Sequence, residues 1–232
     1  MKEYIRKRAL NSYRVCDDIP HNIRNRIRTP IQKNKRSGIK IGIIDDQAFE
    51  AGLNLKNYGY EIEEIGDIKR IDEAKTFPII LCDLMSVGVH FDSDGQGASV
   101  IKEIKKNYPA ILIVAYTGAS GASSQAQKAK QFADDFIKKD AEIEEWVTKL
   151  DGLIDKATDS KLIWLRIRYA LVNENIDTRT ILLLEDAYVR SISAGGDKGV
   201  LENAIKSGEI SAMAKSIIIN LLSSAIFLAI TK

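Results

Sequence analysis

The sequence predicts an α/β protein: a five-stranded parallel doubly wound sheet, with a basic extension before it and an all-α module after it. Three observations predict this. Between residues 38 and 155, short apolar runs alternate with helix-period segments, and repeated βα units imply a parallel sheet with helices on both faces. Beyond residue 156 every periodic segment is helical. Charge is also segregated: residues 1–38 carry 11 Lys/Arg against 3 Asp/Glu, residues 39–150 carry 13 against 19, and residues 151–232 carry 10 against 10. The boundaries read from these shifts are 1–37, 38–155 and 156–232.

Taken in order, "IKIGII" (39–44) is a buried strand, and Ala48, Leu53 and Leu55 fall within a helix that stops near Gly59. "YEIEEI" (60–65) alternates weakly and reads as an outer strand, followed by a short helix around Ile68–Ala74. "PIILC" (78–82) is the second buried strand, and Val100, Ile101 and Ile104 mark a helix that ends at "NYP". "ILIVAY" (111–116) is the third buried strand, "SSQAQKAKQFA" a short polar helix, and "DFI" (135–137) a short fifth strand. Ile143, Trp146, Val147, Leu150 and Ile154 recur at helical spacing. Right-handed crossovers are expected throughout. In the final third "KLIWLRIRYALV", "TRTILLLEDAYVRSI", "VLENAIKSG" and "SAMAKSIIINLLSSAIFLAI" read as helices, with Asp177 or Thr178 capping the second.

The chain of 232 residues is long enough for one generous domain or two small ones. Its two cysteines, Cys16 and Cys82, cannot make a disulfide framework, which points to a reducing compartment. No secretory signal pattern opens the sequence, so a cytoplasmic location is expected.

In an open parallel sheet, ligands bind past the carboxyl ends of the strands. Asp45 and Asp46 follow the first strand, Asp83 follows "PIILC", Thr117 follows "ILIVAY", and Lys138 and Lys139 follow "DFI". Three carboxylates converging on one edge call for a hard cation, and Mg²⁺ fits. An ion with a lysine can in turn hold a phosphoryl group. These residues resemble the receiver domain of bacterial two-component response regulators, of flavodoxin-like fold. "KIGIIDDQ" resembles its acidic strand end, "IILCDLM" its phosphoacceptor strand, "IVAYTG" its hydroxyl-bearing strand and "ADDFIKKD" its lysine-bearing strand.

The resemblance implies the strand order 2-1-3-4-5 and a set of roles. Asp83 accepts a phosphoryl group from a phosphohistidine. Asp45, Asp46, Asp83 and the carbonyl of Met85 hold Mg²⁺. Lys139 pairs with Asp83 and then with the phosphoryl oxygens; Lys138 is the alternative. Thr117 bonds the arriving group, and Phe136 is the aromatic switch. A receiver of this kind is a phosphoacceptor, not a turnover enzyme; the alternative is an unphosphorylated pseudo-receiver that serves as a scaffold. Its partners are a histidine kinase or phosphotransfer protein, and a second copy or helical partner through residues 156–232. Asp140 and Val87 stand where the family usually has proline, and "VGVHFDSDGQGA" is longer than expected. Gln47 beside the acidic pair could tune dephosphorylation.

Other features favour plainer readings. "DSDG" (92–95) lacks the glutamate of a calcium loop, His90 reads as a loop residue, and "TGASGASS" (117–124) lacks the ending of a P-loop. The basic arm has no aromatic interleaving or zinc-finger signature, so nucleic acid is the less favoured partner. "NRIRTPI" matches a phosphohistidine box only without its histidine; His21 is misplaced for it. In residues 216–230, Ser216, Asn220, Ser223 and Ser224 form a narrow polar stripe. That run is too short for a span of ~20 residues, so burial is expected over membrane contact.

Overall fold

A computed structural model describes residues 14–20, 35–118, 123–207 and 210–231. The sheet comprises β1 (Lys40–Ile44), β2 (Glu61–Glu64), β3 (Ile79–Asp83), β4 (Leu112–Thr117) and β5 (Asp135–Lys138), all parallel, in the order β2-β1-β3-β4-β5. The three central strands are almost wholly apolar because helices cover both of their faces. β2 is an edge strand, and only Ile62 of its residues is buried.

On one face Ile41, Ile43, Leu81, Val114 and Ile137 pack with Leu55 of α1 (Gly52–Asn57) and with Trp146, Leu150 and Ile154 of α4 (Ile143–Thr158). On the other, Ile44, Ile80, Cys82, Ile113 and Ala115 pack with α2 (Gly97–Asn107) and α3 (Ser124–Ala129). This alternation follows from the period of two along each strand. A 3-10 turn at Ile71–Thr76 leads into β3.

The first helix differs from expectation. It begins at Gly52, and Ala48 and Leu53 are exposed. Phe49 supplies the burial instead, edge-on to Tyr116 and Trp146 with ring centroids 5.4 Å away in each case. An aromatic just ahead of a helix can plug the sheet end without belonging to the helix period, so periodicity misses it.

The helical module contains α5 (Ser160–Asn173), α6 (Thr178–Ser193), α7 (Lys198–Ser207), α8 (Ala212–Ser223) and α9 (Ala225–Thr231). Asp159 ends α4 and caps α5, its carboxylate accepting from the backbone N–H of Lys161 and Leu162. Asp177 caps α6. Trp164 stacks on Tyr188 at 5.0 Å. The module sits at the amino-terminal edge of the sheet: Asn220 Nδ2 donates to the Asn107 carbonyl (2.8 Å) and Arg166 Nε to that of Ala110 (3.2 Å).

The last expected helix is two helices, α8 and α9, bent by 60° at Ser224. The Ser224 backbone is extended, and its N–H and hydroxyl both turn back to the Leu221 carbonyl. Such local bonding competes with helix continuation. The polar stripe is therefore split: Ser216 and Ser223 are exposed, whereas Ser224 is buried. Ile217, Ile218, Leu221, Ile226 and Phe227 are buried in the module. Among the described residues no single helix is long and apolar enough to cross a membrane, although the bent pair passes that test by length and composition.

Part of the basic extension is docked. Cys16 and Ile19 are buried, and the Cys16 N–H donates to Glu185 Oε1 (2.8 Å) on α6. Lys35 and Arg36 pair with Asp155 and Asp151 of α4. Residues 1–13 and 21–34, with His21 and "NRIRTPI", lie outside the described residues, as do residues 119–122 of the "TGASGASS" loop.

Candidate functional site

Asp45, the residue after β1, and Asp83, the last of β3, lie side by side because β1 and β3 are neighbours in register, Ile44 against Cys82. Both are buried, and Asp46 beside them is exposed. Carboxylate oxygens of all three come within 4.8 Å of one another. Lys139, just past β5, crosses to them: Nζ lies 2.8 Å from Asp83 Oδ2 and 3.0 Å from Asp45 Oδ2. Between the two candidate lysines the geometry selects Lys139, since Lys138 is exposed at the end of β5.

Tyr116 is a member of this site that the sequence did not disclose. It pairs with Asp83 in the ladder, and its Oη donates to Asp45 Oδ2 at 2.6 Å. The Lys139 ammonium lies 5.2 Å from its ring centroid. Tyr116 reads as one more core aromatic in "ILIVAY"; only its parity with Asp83 could have marked it. It also packs against Trp146 at 6.1 Å. Trp146 is thus two contacts from Asp45, much nearer than the sequence implies.

The electrostatics follow from burial and these partners. Burial opposes ionisation of Asp45, but bonds from Tyr116 Oη, the Gln47 N–H (3.0 Å) and Lys139 outweigh it and hold the carboxyl below its ordinary value. At Asp83 burial wins: its carboxyl is raised although Lys139 and the Leu84 N–H (2.7 Å) oppose, and Asp45 adds repulsion. Burial depresses the Lys139 ammonium, yet its bonds to Asp83 and Asp45 carry it above its ordinary value. Burial first, and Asp45 second, raise the Tyr116 phenol, which stays a donor. With three ionised carboxylates and one ammonium the cluster carries −2, all in hard oxygen donors. That set suits a small divalent ion such as Mg²⁺.

Thr117 ends β4, is buried, and accepts from the Lys139 N–H at 3.2 Å through its carbonyl. By strand parity it lies on the opposite face from Tyr116, the face that holds Phe136. Phe136 is half-buried, pairs with Ala115 across the ladder and packs into the core under α2 and α3. Met85 lies two residues past Asp83 on the loop into α2 and is exposed. That loop is shaped locally. Ser86 has φ +64° and its N–H donates to Gln96 Oε1 (2.8 Å); Val87 is buried; the Gly88 N–H donates to Asp67 (2.8 Å).

His90 is 3.6 Å from Asp67 and lies tilted against the Phe91 ring, and Asp92 accepts from the Asp94 N–H and the Ser99 hydroxyl. These residues shape the loop, and the acidic cluster above lies apart from them. Gly97 opens α2 directly over Asp83: a Cβ there would overlap the Asp83 carbonyl oxygen. Asp140, next to Lys139, is exposed.

No protein-family model matches the chain, and no curated protein matches it. Several solved structures are similar to it. The receiver domain of a Pseudomonas aeruginosa sensor histidine kinase, with a magnesium ion coordinated in its active-site cleft, is 21% identical. The match covers 50% of this chain and 98% of that one, with a TM-score of 0.42. A beryllofluoride-activated DrrB receiver domain is 16% identical, over 50% and 97%, with a TM-score of 0.42. A response regulator receiver domain protein from Methanospirillum hungatei is 20% identical, over 51% and 94%, with a TM-score of 0.40. In its own strand order, residues 40–158 of the chain have the flavodoxin-like fold that receiver domains share, with an acidic pocket at the carboxyl edge of the sheet.

Proposed function

We propose that the chain is a response regulator whose Asp83 accepts a phosphoryl group from a phosphohistidine on a histidine kinase or phosphotransfer protein. The observation that carries this reading is Lys139 bridging Asp83 and Asp45 inside a cluster of three carboxylates. Phosphoryl transfer asks the protein mainly for position and charge neutralisation. In the reaction an Asp83 carboxylate oxygen bonds to phosphorus as the bond from phosphorus to the donor imidazole nitrogen breaks, leaving an acyl phosphate and a neutral imidazole. Asp45, Asp46, Asp83 and the Met85 carbonyl would hold Mg²⁺, which when bound supplies positive charge to the phosphoryl oxygens.

Lys139 opposes the rise that burial imposes on the Asp83 carboxyl and then turns its ammonium to the product. Thr117 takes the remaining phosphoryl oxygen. Its inward movement frees the side of the sheet on which Phe136 lies, a local event with a wider readout. The α2 helix extends that readout. Its first turn rests on the Asp83 carbonyl, and its last carbonyl, that of Asn107, receives Asn220 of the helical module. The chain serves here as a switch and not as a turnover enzyme.

Trp146 tests the reading. Beryllofluoride with Mg²⁺ should change Trp146 fluorescence in the wild type and in Trp164→Phe, and leave Asp83→Asn unchanged. An unresponsive wild type with Mg²⁺ bound would favour a scaffold whose pocket is silent.

A further inference from the structure

At the amino-terminal edge of the sheet, away from the acidic pocket, a cavity of about 840 Å³ opens between α2, the segment before β5, and α5. Its volume is that of a small-molecule site. Five cationic residues line it, Lys102, Lys105, Lys106, Lys156 and Arg166, against the acidic Asp134 and Glu174.

The charges are not equally committed. Lys105 Nζ lies 2.8 Å from Asp134 Oδ2 and 2.9 Å from the Ile111 carbonyl, and Asp134 also takes the Ile113 N–H. That pair is internally neutral and braces the cavity floor. Arg166 donates to the carbonyls of Ala110 (3.2 Å) and Lys156 (3.4 and 3.5 Å), and among the described residues no carboxylate pairs with it. Burial lowers its ordinary value, which marks a charge held partly out of water. Lys102, Lys106 and Lys156 are exposed at the rim, with Lys102 and Lys106 one helical turn apart on one face of α2. Among the lining residues, Glu174 is thus the one acid left to four cations, with Asp159 near Arg166 and Asp135 near Lys156 behind the wall. Beside them stand the apolar faces of Phe132, Leu162 and Leu165, with Tyr169 largely exposed at the mouth.

We propose that this cavity binds a small organic phosphate of nucleotide size, its phosphates held by Arg166 with Lys102, Lys106 and Lys156, and its flat apolar part against Phe132 and Tyr169. A guanidinium with uncommitted N–H donors beside three ammonium groups is phosphate-binding chemistry. A concave pocket with an apolar wall selects an organic ester over the bare ion. The site is independent of the phosphoacceptor chemistry, because none of its lining residues belongs to the acidic pocket.

Titration of the full chain with the fluorescent nucleotide mant-ATP, in EDTA so that the acidic pocket holds no metal, tests this. Saturable binding is expected, displaced by unlabelled ATP and unchanged in Asp83→Asn. The exposed rim double variant Lys102→Glu/Lys106→Glu should weaken it about tenfold or more, since two attractive charges become repulsive. Arg166→Gln should weaken it too, but Arg166 also braces two carbonyls, so the rim variant is the deciding one. Absence of saturable binding, failure of ATP to displace the probe, equal affinity in the rim variant, or loss of binding in Asp83→Asn would each overturn the proposal.

Discussion

Replacing Lys139 with Met removes the cation on which the acidic pocket depends while keeping much of the side chain's volume. The Asp83 and Asp45 carboxylates are only 5% and 3% exposed, and each loses its ion pair, at 2.8 and 3.0 Å. Breaking a fully buried pair costs about 3–5 kcal/mol. Lys139 itself is 33% exposed, so water already screens the ammonium, and a discounted cost of about 2–3 kcal/mol is expected. For a chain of this size each kcal/mol moves the midpoint by about 2–4 °C, so Tm in EDTA should fall by about 4–12 °C. The variant pocket then carries −3 in place of −2, so Mg²⁺ should raise Tm more in the variant than in the wild type. Thermal unfolding followed by far-UV circular dichroism, with EDTA and with millimolar Mg²⁺, measures both effects. A shift in EDTA smaller than about 1 °C, or a larger Mg²⁺ effect on the wild type, would refute the reasoning.

Three further outcomes follow from the same structure. Gly97→Ala places a methyl group against the Asp83 and Leu84 backbone; urea unfolding should show a loss of about 3 kcal/mol, and an unchanged midpoint would mean that α2 does not press on the strand end. Asp151 receives Arg36 Nε and Nη2 at 2.8 and 2.6 Å and Tyr60 Oη at 2.7 Å. Asp151→Asn should cost about 1.5–3 kcal/mol at neutral pH. Although burial opposes its ionisation, these bonds hold the Asp151 carboxyl below 3.8. Its contribution is therefore complete above that pH and is lost as pH falls through the depressed folded value. The variant's stability curve should be flatter on the acid side, and parallel curves would contradict the assignment. Asn220→Ala removes the bond to the Asn107 carbonyl; amide exchange should quicken at the end of α2 and in α8, with a stability loss of about 1 kcal/mol, whereas exchange confined to α8 would show that the module is not coupled there.

Much of this molecule is legible in its residues because parallel strands are written as apolar runs. β1, β3 and β4 announce themselves so, and the chemistry sits one residue past each apolar run, at Asp45, Asp83 and Thr117. Their spacing alone thus places Asp45, Asp83, Thr117 and Lys139 on one edge. What escaped is what period and spacing do not encode. Tyr116 looks like core and is core, yet its Oη reaches Asp45 because the ladder sets it beside Asp83. Phe49 packs from a turn, so no helix pattern includes it. The break at Ser224 is decided by serine hydrogen bonds to Leu221, which an otherwise helical sequence conceals. The seating of the module depends on contacts more than 50 residues apart in sequence, such as Arg166 with Ala110 and Asn220 with Asn107.

The central claim is that Asp83 is the phosphoacceptor. Incubating the full chain with acetyl phosphate and Mg²⁺, then measuring intact mass, tests it most directly. The account predicts one Mg²⁺-dependent, base-labile phosphoryl adduct on the wild type and none on Asp83→Asn. A wild type that stays unmodified, or an adduct that survives Asp83→Asn, would contradict it.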